Sequence, residues 1–343
     1  MMMEDVSLVD TTGNMEIDAA LYGFIGLFQM TFPGRVRAYY LLGTQATNEA
    51  VGASDVDVCI VFKDRLQEGE RERFQQFLHF CQPVSRVPLD VSIKEEARLL
   101  ADGEVNLKHS SLFLMGEDIR ERIPQMPMEK WIRTSMHQPF MYIERSRPRA
   151  DEEPLRYPLG FPDPSGDFYG YDYRHMRMPD GSLQPSIKEL VTMACRMATA
   201  LLALQKGEYT ISKSSTIKAH REHLHDEWTP LFEAIYESRT RWGYLLPTEP
   251  ADRAHVRELC ARMVELENHF LGLYRDYLLA ELRGGALPDR IRAATRLGEI
   301  LYPGEEVRAA LKQLENEEEP LRDAARESLA RIEKYGKAAS SAA

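Results

Sequence analysis

Apolar positions along this chain change their period several times, and each change marks an element. Leu21, Phe24, Ile25, Leu27 and Phe28 recur at helical spacing within residues 18–30, and Pro33-Gly34 closes the run, so a helix is expected there. Residues 35–42 are rich in Val, Tyr and Leu and stop at Gly43, while residues 56–62 form a second apolar run of alternating character. Both read as strands. Phe74, Phe77, Leu78 and Cys81 return to helical spacing over residues 68–81, and a third strand is expected over 87–93. The opening order is therefore helix, strand, strand, helix, strand.

From 145 to 185 the pattern dissolves into closely spaced Pro, Gly, Asp and Tyr, expected to be a linker or lid. Tyr157, Phe161, Phe168, Tyr169, Tyr171 and Tyr173 give it an aromatic surface of the kind flat or ring-shaped ligands favour; packing the two domains together is the alternative. Beyond it, helical periods over 187–206, 213–236 and 251–283 predict a bundle. Arg290, Ala293, Leu297 and Ile300 are matched by Arg322, Ala325, Leu329 and Ile332, with Val307, Leu311 and Leu314 between them. This pattern resembles HEAT-like repeats, and a plain amphipathic hairpin accounts for it equally well.

The fold class expected is α+β. A mixed sheet with flanking helices over 1–144 is followed by the linker (145–185), an all-α bundle (186–284), a HEAT-like segment (285–335) and a disordered tail (336–343). A length of 343 residues accommodates two or three such domains. No run approaches the roughly 20 apolar residues of a membrane span, and the acidic opening MMMEDVSLVD is unlike a secretory signal, so a cytoplasmic location is expected. Cys59, Cys81, Cys195 and Cys260 stand far apart and read as buried free thiols. A net charge of −11 argues against a protein that chiefly grips a polyanionic backbone.

Chemistry concentrates near the second strand. Leu42-Gly43-Thr44, ten intervening residues, then Asp55-Val56-Asp57-Val58 place two carboxylates two positions apart, hence on one face, while Val56 and Val58 enter the core. Two such acids repel, and a divalent ion such as Mg²⁺ relieves the repulsion while keeping positions open for triphosphate oxygens. Gly43 allows close approach of a phosphate to the main chain, and the hydroxyls of Thr44 and Ser54 can donate to phosphate oxygens. Asp90, at the centre of the apolar stretch 87–93, is costly to bury alone; it reads as a third metal ligand, a general base, or both. Lys213, near the start of a helix, supplies a cation that an acidic chain otherwise lacks there.

On these residues the chain resembles the nucleotidyltransferase core of the DNA polymerase β superfamily. Over roughly residues 20–283 it is similar to the bacterial aminoglycoside adenylyltransferases that modify streptomycin and spectinomycin. Residues 109–127, beginning His109-Ser110-Ser111, look like the end of that family's catalytic domain, and Leu204 through Lys213 resembles its TGKI-x-[SP]-K stretch. Residues 231–236 and the helix after them resemble its closing helices. The resemblance implies Mg²⁺ on Asp55 and Asp57, phosphate contacts from Thr44 and Ser54, Lys213 reaching the triphosphate of ATP, and a small-molecule acceptor. Asp90 stands where the family has Glu, and the Tyr-rich loop 157–180 replaces the stretch that supplies its Trp and Asp contacts to the drug.

His220, His223 and His225 lack the spacing of a shared metal face and are expected on a polar helix surface; Met193 and Met197 are expected to pack the core. Neither GxxxxGK[ST] nor GxGxxG occurs. Three functions remain open: an ATP- and Mg²⁺-dependent adenylyltransferase acting on a small hydroxyl acceptor; a nucleotidyltransferase modifying a protein recruited by the HEAT-like segment, or a nucleic-acid end; and an inactive interaction scaffold. The intact acidic and basic positions weigh against the last, and the net charge against nucleic acid.

Overall fold

The computed structural model describes residues 7–340 apart from 53, 82–86, 148, 150–152, 161–167 and 179–180. The chain begins α1 (Met15–Thr31), β1 (Val36–Leu42), α2 (Gly43–Ala46), β2 (Val56–Phe62), α3 (Glu70–Cys81), β3 (Leu89–Glu95), α4 (Glu96–Asp102), α5 (Val105–Ser110), β4 (Leu112–Gly116) and α6 (Met128–Ser146). Short strands β5 (Leu155–Arg156), β6 (His175–Arg177) and β7 (Leu183–Pro185) precede α7 (Lys188–Lys206), α8 (Lys213–Ala219), α9 (Thr229–Trp242) and α10 (Pro250–Gly284). The chain closes with α11 (Leu287–Gly298), β8 (Ile300–Leu301), α12 (Glu306–Lys312) and α13 (Leu321–Ser340).

Contacts divide the chain into two compact units, residues 1–135 with 174–247, and residues 136–173 with 248–343. The first is built on a mixed sheet of order β3-β2-β1-β4, in which β1 is antiparallel to both β2 and β4 and β2 is parallel to β3. Val56 and Val58 are buried as their alternation requires, under Phe24, Phe28 and Phe77 from α1 and α3. Asn14 caps α1 by accepting from the N–H groups of Glu16 and Ile17. On the other face Tyr40, Cys59 and Val61 pack with Leu99, Leu107 and Ile119. Helices α7, α8 and α9 belong to the same unit, and Met193 and Met197 are fully buried there. All four cysteines are buried free thiols.

The single helix expected over 213–236 is interrupted. After α8 the chain forms a π turn over His220–Leu224, His225 adopts φ +48°, and Asp226 accepts from the Trp228 N–H before Pro230 helps start α9. His220 is buried rather than on a polar surface, its Nδ1 3.1 Å from the Thr229 hydroxyl; His223 pairs with Glu208.

The second unit buries two rings of the aromatic loop. Phe168 lies beneath the guanidinium groups of Arg253 and Arg257, and the Tyr171 hydroxyl donates to Glu267, which also binds Arg147. These rings pack a core and are closed to any ligand; Phe161 lies outside the described residues. The 32-residue correspondence marks core positions, since Ala293, Leu297, Ile300, Ala325, Leu329 and Ile332 are all buried. At Gly298 a Cβ would fall 2.4 Å from Ser328, so α11 and α13 approach where the chain has no side chain. Helix α13 continues to Ser340, through most of the stretch expected as a disordered tail, and residues 341–343 lie outside the described residues.

Candidate active site

The parallel register of β2 and β3 sets Asp57 directly opposite Asp90, and Asp55 precedes Asp57 by two residues. One carboxylate oxygen from each of Asp55, Asp57 and Asp90 lies within 4.8 Å of the others. This is the one such cluster of potential metal ligands among the described residues, and no ligand atom comes from the histidines near α8. Asp90 differs from expectation in one respect: β3 is an edge strand, and its carboxylate is exposed instead of buried in an apolar strand. The solvation cost of an isolated buried acid therefore does not arise.

The three acids are electrostatically unequal. Burial pushes the Asp57 carboxyl up, the neighbouring Asp55 and Asp90 charges push it further, and the opposing Lys213 and Lys188 leave it at about 7. Asp55 is also penalised by burial, yet the Lys188 ammonium, 2.7 Å from its Oδ2, holds it below the usual carboxylate range. Arg174 adds a second, longer contact of 3.9 Å to the same oxygen. Asp57 thus stays short of positive charge while Asp55 does not. An all-oxygen donor set with one under-compensated member suits a hard divalent cation such as Mg²⁺.

Gly43 bounds this space. Its φ is +67°, and a Cβ there would lie 2.0 Å from the Oδ2 of Asp57, so the glycine is required by the acid beside it as well as by its backbone conformation. Thr44 is buried in α2. The Ser54 hydroxyl accepts from the Val51 N–H at 2.9 Å, which fixes the turn leading into Asp55.

Lys213 is the first residue of α8, whose start is closed by a reciprocal Ser212 and Ser215 capping box. Its positive charge opposes the rise of the Asp57 carboxyl's pKa. Glu49, within the loop between Gly43 and Asp55, accepts from Ser214 at both N–H (3.3 Å) and hydroxyl (2.5 Å), and Arg239 donates to the Glu49 carbonyl. The loop is thereby tied to α8 and α9.

Lys188 was not legible beforehand. It opens an apolar helix, and its buried side chain, 8% exposed, passes the Tyr244 ring at 5.6 Å before meeting Asp55. A lysine committed to such burial needs a carboxylate partner, and this was the only available signal.

Residues 28–147 match the family model described as "Nucleotidyltransferase domain". No curated protein matches the sequence. Among solved structures, spectinomycin adenyltransferase AAD(9) from Enterococcus faecialis, with ATP and spectinomycin, is similar at 12% identity and a TM-score of 0.43, over 71% of this chain and 98% of that one. All three clustered acids fall inside the matched residues, whereas Lys188 and Lys213 fall outside them. The sheet-bearing segment is thus a nucleotidyltransferase domain, and the protein is a nucleotidyltransferase.

Proposed function

We propose that the enzyme moves AMP from ATP to a hydroxyl group of a small-molecule acceptor, with Mg²⁺ held by Asp55, Asp57 and Asp90. The observation that carries this reading is the convergence of three carboxylates within 4.8 Å beside two lysines. When bound, the ion neutralises charge on the phosphates and orients them for in-line displacement. The remaining tasks fall to the chain itself. Lys213 binds non-bridging phosphate oxygens, and Thr44 and Ser54 border the phosphate space. Asp90, the one exposed acid, accepts the proton of the acceptor hydroxyl. The acceptor oxygen then bonds to the α-phosphorus, the bond to the bridging oxygen breaks, and pyrophosphate leaves.

A net charge of −11 favours a small acceptor over a nucleic-acid end. Among the described residues no helix is long and apolar enough to cross a membrane. The test is incubation with α-³²P-labelled ATP, Mg²⁺ and either a small-metabolite pool or a protein fraction. Label in a small-molecule product supports the proposal. Label confined to protein overturns the acceptor class, and no Mg²⁺-dependent release of pyrophosphate in either mixture overturns the reaction.

A further inference from the structure

We propose that the Lys188 ammonium takes one of the cation places of the three-carboxylate site, so that the site holds a single divalent ion where two would otherwise fit. The inference rests on the metal-dependent reading above.

Paired divalent ions in phosphoryl-transfer sites lie roughly 3.5–4 Å apart and need oxygens that serve both. Asp55 and Asp57 are the acids placed to bridge, and Asp55 has one oxygen already engaged. The Oδ2 of Asp55 accepts from Lys188 at 2.7 Å and has Arg174 3.9 Å away. The Oδ2 of Asp57 lies close against Gly43, 2.0 Å from where a Cβ there would stand. What remains free on Asp55 is one oxygen, beside Asp57 and the exposed Asp90.

Lys188 is also held where it is. Its side chain is 8% exposed and packs over Tyr244, whose hydroxyl accepts from Arg239 at 2.9 Å. The first turn of α7 is itself anchored, because the Ile187 N–H donates to the Tyr244 carbonyl at 2.7 Å. An ammonium so braced cannot swing into solvent without breaking this packing. A second metal at Asp55 would have to sit against a fixed positive charge at hydrogen-bond distance from the same oxygen, where two charges repel strongly. In return, Lys188 provides next to Asp55 the positive charge that a second ion would bring to the phosphates.

The experiment is equilibrium dialysis of the full chain against Mn²⁺ with a saturating ATP analogue carrying a methylene between its α and β phosphorus atoms, counting ions per chain. The expected result is about one ion for the wild type, about one for Lys188→Arg, which keeps the charge, and about two for Lys188→Met, which keeps the apolar stem. Two ions in the wild type, or one in a folded Lys188→Met protein, would overturn the inference. Asp57→Asn serves as the reference. If the wild type binds no more Mn²⁺ than this variant, the metal-dependent reading itself fails, an outcome distinct from either count.

Discussion

Replacing Asp57 by Asn should stabilise the metal-free protein at alkaline pH while removing its response to Mg²⁺. The carboxyl stands at about 7 instead of an ordinary 3.8, from burial first and then from Asp55 and Asp90. A folded-state value raised this way favours the protonated acid. The associated stability is fully present below about pH 4 and is lost as pH rises through about 7. Above neutrality the ionised residue then costs the fold about 4 kcal/mol at most, and about 2 to 4 kcal/mol once the chain relaxes around it. Asn keeps the shape without the charge. At about 2 °C per kcal/mol for a chain of this size, the variant should melt about 4–8 °C above the wild type at pH 8.5 in chelator. The gap should shrink toward pH 4. Saturating Mg²⁺ should raise the wild-type Tm, since the ion binds the folded state, and leave the variant unmoved. Scanning fluorimetry across pH, with EDTA or Mg²⁺, reads all of this. A variant that melts below the wild type at pH 8.5 in EDTA, or a gap independent of pH, would refute the electrostatic account of the site.

Lys213→Ala should raise the KM for the nucleotide roughly tenfold or more and lower kcat, with acceptor KM unchanged, in steady-state assays; unaltered nucleotide kinetics would return Lys213 to a surface role. Gly43→Ala should cost about 1–2 kcal/mol from the left-handed backbone alone, and its Cβ should displace the Asp57 carboxylate, so chemical denaturation and Mn²⁺ affinity should both weaken. Glu267→Gln removes the carboxylate charge that pairs with the buried Arg147 and should destabilise the second unit by about 3–5 kcal/mol in urea titration, with Mn²⁺ binding by the folded protein retained.

The acids were legible in the sequence because strand periodicity converts a spacing of two into a shared face, and the glycine and apolar runs fix where the strands begin and end. Asp90 was legible as a partner but not in its exposure, since an apolar stretch reads the same on an edge strand as on a central one. Lys188 escaped because its partner is 133 positions away and an isolated lysine at a helix start is ordinary. For two rings of the aromatic loop it is packing that holds, and for a related reason the sequence did not decide it. Composition reports that rings are present, whereas the burial of Phe168 and Tyr171 depends on Arg253, Arg257 and Glu267, about a hundred residues downstream. The break at His225 required a left-handed residue that periodicity does not register.

The separation between Asp55 and Lys188 also has a consequence for biosynthesis. At roughly 5–20 residues per second, Lys188 follows the acids out of the ribosome after an interval on the order of ten seconds, and Lys213 later still. Once Glu95 has emerged, the strands that carry Asp57 and Asp90 are complete, and neither lysine has yet left the ribosome to offset the acids. Dissolved ions are then the main source of compensating charge, so the nascent sheet meets its first cation from solution and only afterwards from its own chain.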